Sequence, residues 1–360
     1  MAQIDAFFKL MHDEGASDLH IVAGQQPILR IRGDMERVKF RTLENEELKS
    51  MLYEICPEDK IKIFEETGDI DFGYEIPGLA RYRSNYFMQR KGIGAVFREI
   101  PTDILTCEQL GLPKVVNRLA SLPKGLVLVT GPTGCGKSTT LAAIVDQANK
   151  TRKHHILTIE DPIEFVHKSQ KALINHREVG THTKTFSAAL RGALREDPDI
   201  ILVGELRDLE TITLAMEASM TGHLVFGTLH TLNAMKTVDR VVEIFPASHQ
   251  GQVRSTLADA LKAVVSQTLF KRQDVKGRVA ALEILIATPA VRNLIREGKT
   301  YQIHSVMQTG KKYGMQTLDD AIFELLEKRM ISADDAYTNC LDKPRFLKFL
   351  RTAPGDFTEV

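Results

Sequence analysis

The chain has 360 residues, 43% of them hydrophobic and 26% charged, with lysine plus arginine and aspartate plus glutamate balanced at 47 each. That length supports two domains, and the balance argues against a global basic field drawing the protein to nucleic acid or anionic lipid. The cysteines, Cys56, Cys107, Cys135 and Cys340, are far apart and form no CxxC pair, which argues against a structural zinc site or a disulfide framework and points to a reducing cytoplasm.

No apolar run approaches the roughly 18 residues needed to cross a bilayer. The first residues, "MAQIDAFFKLMHDEG", carry acidic groups where a signal peptide would be basic and then apolar, so the expectation is a protein neither exported nor membrane-spanning. The first of the predicted elements, "IDAFFKLMHDEGA", spaces Ile4, Phe7, Phe8 and Met11 as one face of a helix. "SDLHIVAGQQPILRIRGDMERV" predicts two strands around a Gly-Gln-Gln-Pro turn, and "NEELKSMLYEI" and "EDKIKIFEET" predict helices. Three strands, "DIDFGYEI", "ARYRSNYFMQR" and "GIGAVFREI", complete a small α+β domain over residues 1–100. A proline-containing stretch at 101–116 reads as a linker. From Leu126 short apolar strands alternate with helical stretches, predicting an α/β domain with a parallel sheet over 117–360. Its end, "TLDDAIFELLEKRM", "SADDAYTNCLD" and "KPRFLKFLR", reads as a helical appendage with a loose tail, "TAPGDFTEV".

The chemistry begins at "GPTGCGKS". Gly131 to Ser138 matches G-x-x-x-x-G-K-[ST] in full, and the flanking apolar strand and amphipathic helix are the context a phosphate-binding loop requires. Gly131, Gly134 and Gly136 let backbone amides turn to the phosphates, with Thr133, Cys135 and Thr139 completing the cradle. Lys137 would reach the β and γ phosphates of ATP and the Ser138 hydroxyl would join Mg2+. Three more apolar strands carry acid or histidine: "HILTIEDPIEF" with Glu160, Asp161 and Glu164, "DIILVGELRD" with Glu205, Arg207 and Asp208, and "HLVFGTLHT" with His223 and His230. In an open parallel sheet ligands sit beyond the carboxyl ends of the strands, so these groups are expected to converge on one nucleotide. Glu205 either holds Mg2+ through water or is a capping acid. Any one of Glu160, Asp161 and Glu164 either orients the attacking water or caps a helix after a βα turn. His230 is a candidate γ-phosphate sensor or a satisfied structural histidine.

In the first domain Arg81 and Arg83 alternate onto one strand face, and a hairpin turning near Lys91-Gly92 would bring Arg98 beside Asn85 on that face. Such a cluster either serves a phosphate or pairs with Asp69, Asp71 or Glu75.

In order, "GPTGCGKS", "TIEDPIEF", "ILVGELRD" and "GHLVFGTLHT" resemble the four boxes of the secretion and type IV pilus motor ATPases, and the resemblance covers nearly the whole chain. "AVRNLIRE" is similar to the AIRNLIRE motif of the pilus retraction members. The longer N-terminal region and tetracysteine zinc site typical of extension and type II secretion members are missing. The resemblance implies a PAS-like N-terminal domain joined to a RecA-like ATPase domain and a homo-hexameric ring. It makes Glu164 the catalytic glutamate, Glu205 the Walker B glutamate and His230 the sensor, with Arg83 and Arg98 completing the ATP site of the adjacent subunit. It also implies a cytoplasmic motor at the inner membrane, coupling ATP hydrolysis to pilus retraction and twitching motility through the platform protein and other pilus machinery. The alternatives are a pilus extension or type II secretion ATPase and, from another class, a RecA-like nucleic-acid translocase. Zero formal net charge and the absence of tryptophan speak against the last, so no nucleic-acid partner is expected. A non-motor, nucleotide-gated scaffold is disfavoured by the presence of Glu164 and Glu205.

Overall fold

The computed structural model describes residues 2–31, 33–100 and 103–350; the tail read at "TAPGDFTEV" and the first two residues of the linker stretch lie outside the described residues. Two compact units are formed, one from residues 1–103 with 162–166 and the other from 104–161 with 167–360.

In the first unit, helices α1 (Asp5–Asp13), α2 (Asn45–Ile55) and α3 (Glu58–Thr67) accompany strands β1 (Asp18–Val22), β2 (Ile28–Ile31), β3 (Asp34–Arg37), β4 (Asp69–Ile76), β5 (Ala80–Gln89) and β6 (Gly92–Ile100). The strands lie in the order β3-β2-β1-β6-β5-β4, every neighbouring pair antiparallel. Period-two alternation explains the layering: Tyr82, Ser84 and Tyr86 are buried on one face of β5 while Arg81, Arg83 and Asn85 point to the other. Phe7, Phe8 and Met11 of α1 and Leu48, Leu52 and Ile55 of α2 join those tyrosines in one core, with Phe8 stacked on Tyr82 at 4.3 Å between centroids. Buried phenols keep partners; Tyr86 donates to the Leu52 carbonyl at 2.9 Å. The expected small α+β domain is present with one correction. The second predicted strand is two strands, β2 and β3, because Gly33 at φ +98° takes a left-handed turn between them.

The second unit holds β7 (Gly125–Thr130), β8 (His155–Glu160), β9 (Leu173–Glu178), β10 (Ile200–Val203), β11 (Leu224–Leu229), β12 (Leu261–Lys271) and β13 (Arg278–Ile286). Their order is β13-β12-β7-β11-β10-β8-β9, parallel throughout except for the antiparallel β12–β13 edge. All residues of β7, β10 and β11 are buried, which is why these strands read as continuous apolar runs rather than alternating ones. Helices α4 (Lys114–Leu119), α5 (Lys137–Thr151), α6 (Phe186–Ala193), α7 (Leu209–Met220), α8 (Ala234–Glu243), α9 (Gln250–Ala260) and α10 (Pro289–Arg296) contribute to its cores. From residue 104 the stretch read as a linker packs here, with Cys107 and Val116 buried. The appendage, Leu318–Glu327, Ala333–Asn339 and Lys343–Leu347, closes over its own cluster around Ile322, Ile331 and Phe346. No helix among the described residues is long and apolar enough to cross a membrane.

Candidate nucleotide-phosphate site

The loop between β7 and α5 is built by left-handed glycines. Gly131, Gly134 and Gly136 have φ of +142°, +76° and +89°, values that a side chain resists, and Gly136 is the N-cap of α5. Helix α5 begins at Lys137, so its unpaired first-turn amides open towards the loop, as an anion requires. Lys137 is buried and its Nζ donates to the carbonyls of Gly131 at 2.9 Å and Pro132 at 3.0 Å. Burial raises the Cys135 thiol above its usual range, which makes it a packing group rather than a nucleophile. Thr133 and Gly134 form the exposed crest; Ser138 and Thr139 lie half-buried in the first turn of the helix.

Strand order brings the other groups to this end of the sheet. β7, β11 and β10 are consecutive neighbours in parallel, and Lys137, His230 and Glu205 all follow their carboxyl ends. Glu205 is the centre of a charge cluster: its Oε2 lies 2.7 Å from Arg207 Nη2 and its Oε1 lies 3.3 Å from His230 Nε2. Burial alone would raise this carboxyl, but Arg207 and His230 outweigh it and hold it below its ordinary range. Glu205 is therefore an anion at neutral pH, as a water-mediated Mg2+ partner needs. Thr228 Oγ1 donates to the Gly204 carbonyl, tying the ends of β11 and β10 together beneath the cluster.

Two sequence expectations need correction. His223 precedes β11, at the opposite end of the strand from His230, and its Nδ1 lies 2.9 Å from the Ala218 carbonyl, so it is a structural group away from the phosphate loop. The acids of "EDPIEF" cap no helix, since the chain runs from β8 without regular structure to β9. Glu160 ends β8, and His176 Nδ1 on β9 stands 3.9 Å from its Oε1. Glu164 lies in the segment 162–166, which groups with the first unit. Asp208 is the N-cap of α7, accepting from Thr211 N at 2.8 Å.

In the first unit the arginine hairpin turns at Arg90-Lys91, one residue earlier than expected, which shifts each cross-strand partner by two. Gln89 pairs with Gly92, so Arg98 lies opposite Arg83 and Asn85 opposite Val96; the shift of two preserves the shared face. The neighbouring acids are engaged: Arg83 Nε lies 3.6 Å from Asp71, Arg81 Nη1 3.4 Å from Glu75, and Arg98 Nε donates to buried Asp18 at 2.8 Å. Arg83 and Arg98 keep 43% and 66% of their side chains exposed, so both can still meet a ligand.

Sequence reasoning missed Gln267 and Glu283. Gln267 sits 4% exposed in β12 beside the phosphate loop, and Glu283, buried in β13, accepts from the Ala234 amide at the start of α8 at 2.7 Å. The available signal was a polar residue inside an apolar strand run, "AVVSQTLF" and "ALEILI", where a buried polar group needs a dedicated partner.

A glycine loop joining strand to helix, with a carboxylate and a histidine at neighbouring carboxyl ends of a parallel sheet, defines a P-loop ATPase, whose site holds a nucleotide's phosphates. More narrowly, the chain belongs to the type II/IV secretion system protein family, whose model matches residues 97–337. It is 57% identical over 323 residues to the type IV pilus retraction ATPase PilT of Pseudomonas aeruginosa, covering 90% of this chain and 94% of that one. It is 53% identical over 310 residues to a twitching motility protein of Neisseria gonorrhoeae, covering 86% of this chain and 83% of that one. A crystal structure of the pilus retraction motor PilT with bound ADP superimposes with a TM-score of 0.89 at 44% identity, covering 97% of this chain and all of that one. This likeness over nearly the full length accords with the expected two-part architecture, an N-terminal domain before an ATPase domain.

Proposed function

We propose that this protein is a motor ATPase that powers type IV pilus retraction, working as a hexameric ring on the cytoplasmic side of the inner membrane against the pilus platform protein. The observation that carries the reading is the convergence of Lys137, Glu205 and His230 at adjacent strand ends, in a chain that is more than half identical to a pilus retraction ATPase.

The roles follow from charge and reach. The loop amides and Lys137 bind the β and γ phosphates. The donor set fits Mg2+ held mainly by phosphates and water: Ser138 offers a single hydroxyl in the first turn of α5, Glu205 stays ionised nearby, and the described residues contain no preformed cage of three acidic, histidine or cysteine ligands. Bound there, the ion neutralises phosphate charge. Glu164 orients a water and accepts its proton as the oxygen attacks the γ phosphorus and the bond to the β–γ bridging oxygen breaks, leaving ADP and phosphate. His230, already paired with Glu205, reads whether the γ phosphate is present. Arg83 and Arg98 stabilise that charge in the site of the neighbouring subunit. Loss of the γ phosphate then removes a bridge between subunits, and the difference in affinity for ATP and ADP biases domain rotation.

A pilus retraction assay tests the motor role directly. Lys137→Ala or Glu205→Ala expressed in place of the natural protein is expected to leave cells with excess surface pili that do not retract. Normal retraction by either variant overturns the reading, and loss of surface pili would mark an extension motor instead.

A further inference from the structure

Beneath the phosphate loop one buried side chain touches both the loop and the helix it feeds. Gln267, in β12 next to β7, donates from Nε2 to the Cys135 carbonyl at 2.5 Å and accepts at Oε1 from Thr140 Oγ1 at 2.7 Å. Its orientation is determined by chemistry, because a carbonyl only accepts, so the amide nitrogen must face Cys135 and the oxygen must face Thr140. Neither end has water available, since Gln267 is 4% exposed and Thr140 2%. Its position also constrains the glycines: a Cβ on Gly136 would lie 2.8 Å from Gln267 Nε2, and one on Gly131 would lie 2.4 Å from the Gln267 carbonyl oxygen. The register is supported from the preceding residue, where Ser266 Oγ lies 2.8 Å from Thr130 Oγ1 at the last position of β7.

A trans peptide is planar, with C=O and the following N–H pointing in opposite directions. Holding the Cys135 carbonyl down on Gln267 therefore turns the Gly136 N–H away from β12, to the outer side of the loop. We propose that Gln267 is a positioning residue of the nucleotide site, which fixes the Cys135–Gly136 peptide so that the Gly136 amide is aimed at the phosphates before nucleotide arrives. The amide contacts ADP and ATP alike, so the contribution is to binding of both, with little selective effect on the transition state. Thr140, which fixes the oxygen end of the amide, shares the role in smaller measure.

The inference rests on the loop being the nucleotide site, and the experiment separates the two. ADP affinity is measured by titration calorimetry on the full-length protein well below its melting temperature, for the natural chain, Lys137→Ala, Gln267→Glu, Gln267→Met, Thr140→Val and Thr140→Ser. Absence of ADP binding by the natural chain, or undiminished binding by Lys137→Ala, defeats the site itself. With the site intact, Gln267→Glu, which keeps the acceptor but replaces the donor with an anion, is expected to weaken ADP by tenfold or more. Gln267→Met should weaken it about tenfold and raise the KM for ATP in step, with saturating kcat within threefold. Thr140→Val is expected to cost two- to threefold, and Thr140→Ser to restore affinity. Lower melting temperature with ADP affinity within twofold of natural in both Gln267 variants would make Gln267 a core group only and overturn the proposal. Should neither Gln267 variant fold, the threonine pair decides, and equal affinity for Thr140→Val and the natural chain overturns it.

Discussion

Glu205 sits between Arg207 and His230 and stays charged; for that reason Glu205→Gln is the sharper test of its chemistry than truncation. The amide keeps the shape and loses the charge facing Arg207 and His230. The expected result is an ATPase rate at least ~100-fold lower, with ADP affinity changed less than ~3-fold, since removing a group used in the reaction rather than in binding lowers kcat selectively. Steady-state hydrolysis and calorimetry together check this. His167 gives a pH signature. Burial, aided by the neighbouring His176, pushes its pKa down to about 4, and its Nδ1 is buried with no hydrogen-bond partner. The unfolded chain takes up a proton near pH 6.5, whereas the folded one resists it, so stability is complete above pH 6.5 and is lost as pH falls from there towards 4. The loss is on the order of 3 kcal/mol. His167→Phe, which keeps the ring packing, should flatten that part of the curve; melting temperatures across the range are the measurement, and an equally steep variant refutes the assignment.

The phosphate loop shows why element geometry, rather than composition, sets the demand for glycine. Gly134 and Gly136 are both left-handed, yet a Cβ at Gly134 meets nothing within 4 Å, while one at Gly136 meets Gln267. Gly134→Ala is therefore expected to cost only backbone strain, about 1 kcal/mol. Gly136→Ala adds a steric conflict in a packed site and is expected to cost about 3 kcal/mol and most of the nucleotide affinity. Denaturant unfolding and ADP titration of the two variants should show that order. Helix α10, which carries "AVRNLIRE", is explained by packing: Val291 and Ile295 are fully buried, Arg292 Nε donates to the Ala287 carbonyl and Arg296 pairs with Asp259. Its likeness to the motif of retraction motors has no separate chemical account in these contacts.

At the scale of the molecule, the proposed ring makes activity depend on assembly. Arg83 and Arg98 are directly opposite on neighbouring strands and largely exposed; the pair of Arg83 with Asp71 on the edge strand is weak enough to exchange for a phosphate, while Arg98 is anchored on buried Asp18 and still keeps 66% of its side chain in solvent. If they complete a neighbouring subunit's site, specific ATPase activity should rise with protein concentration and level off as the ring forms. Arg83→Ala should remain low at every concentration, with ADP affinity retained. An unchanged specific activity in dilute monomer would reject the shared site.

The local chemistry was legible because it is written in contiguous residues. "GPTGCGKS" needs glycine, lysine and serine at fixed spacing to wrap a phosphate, and Glu205 and His230 follow apolar runs whose ends must emerge at one edge of a parallel sheet. Strand periodicity likewise put Arg81, Arg83 and Arg98 on one face even though the hairpin register was two residues off, because a shift of two conserves the face. Only the tertiary structure separated His223 from His230, made Asp208 a helix cap, and placed Gln267 under a loop 132 residues away in sequence. Those outcomes depend on which strands become neighbours. Strand order is fixed by burial of the whole sheet and leaves no mark in any short stretch of the chain.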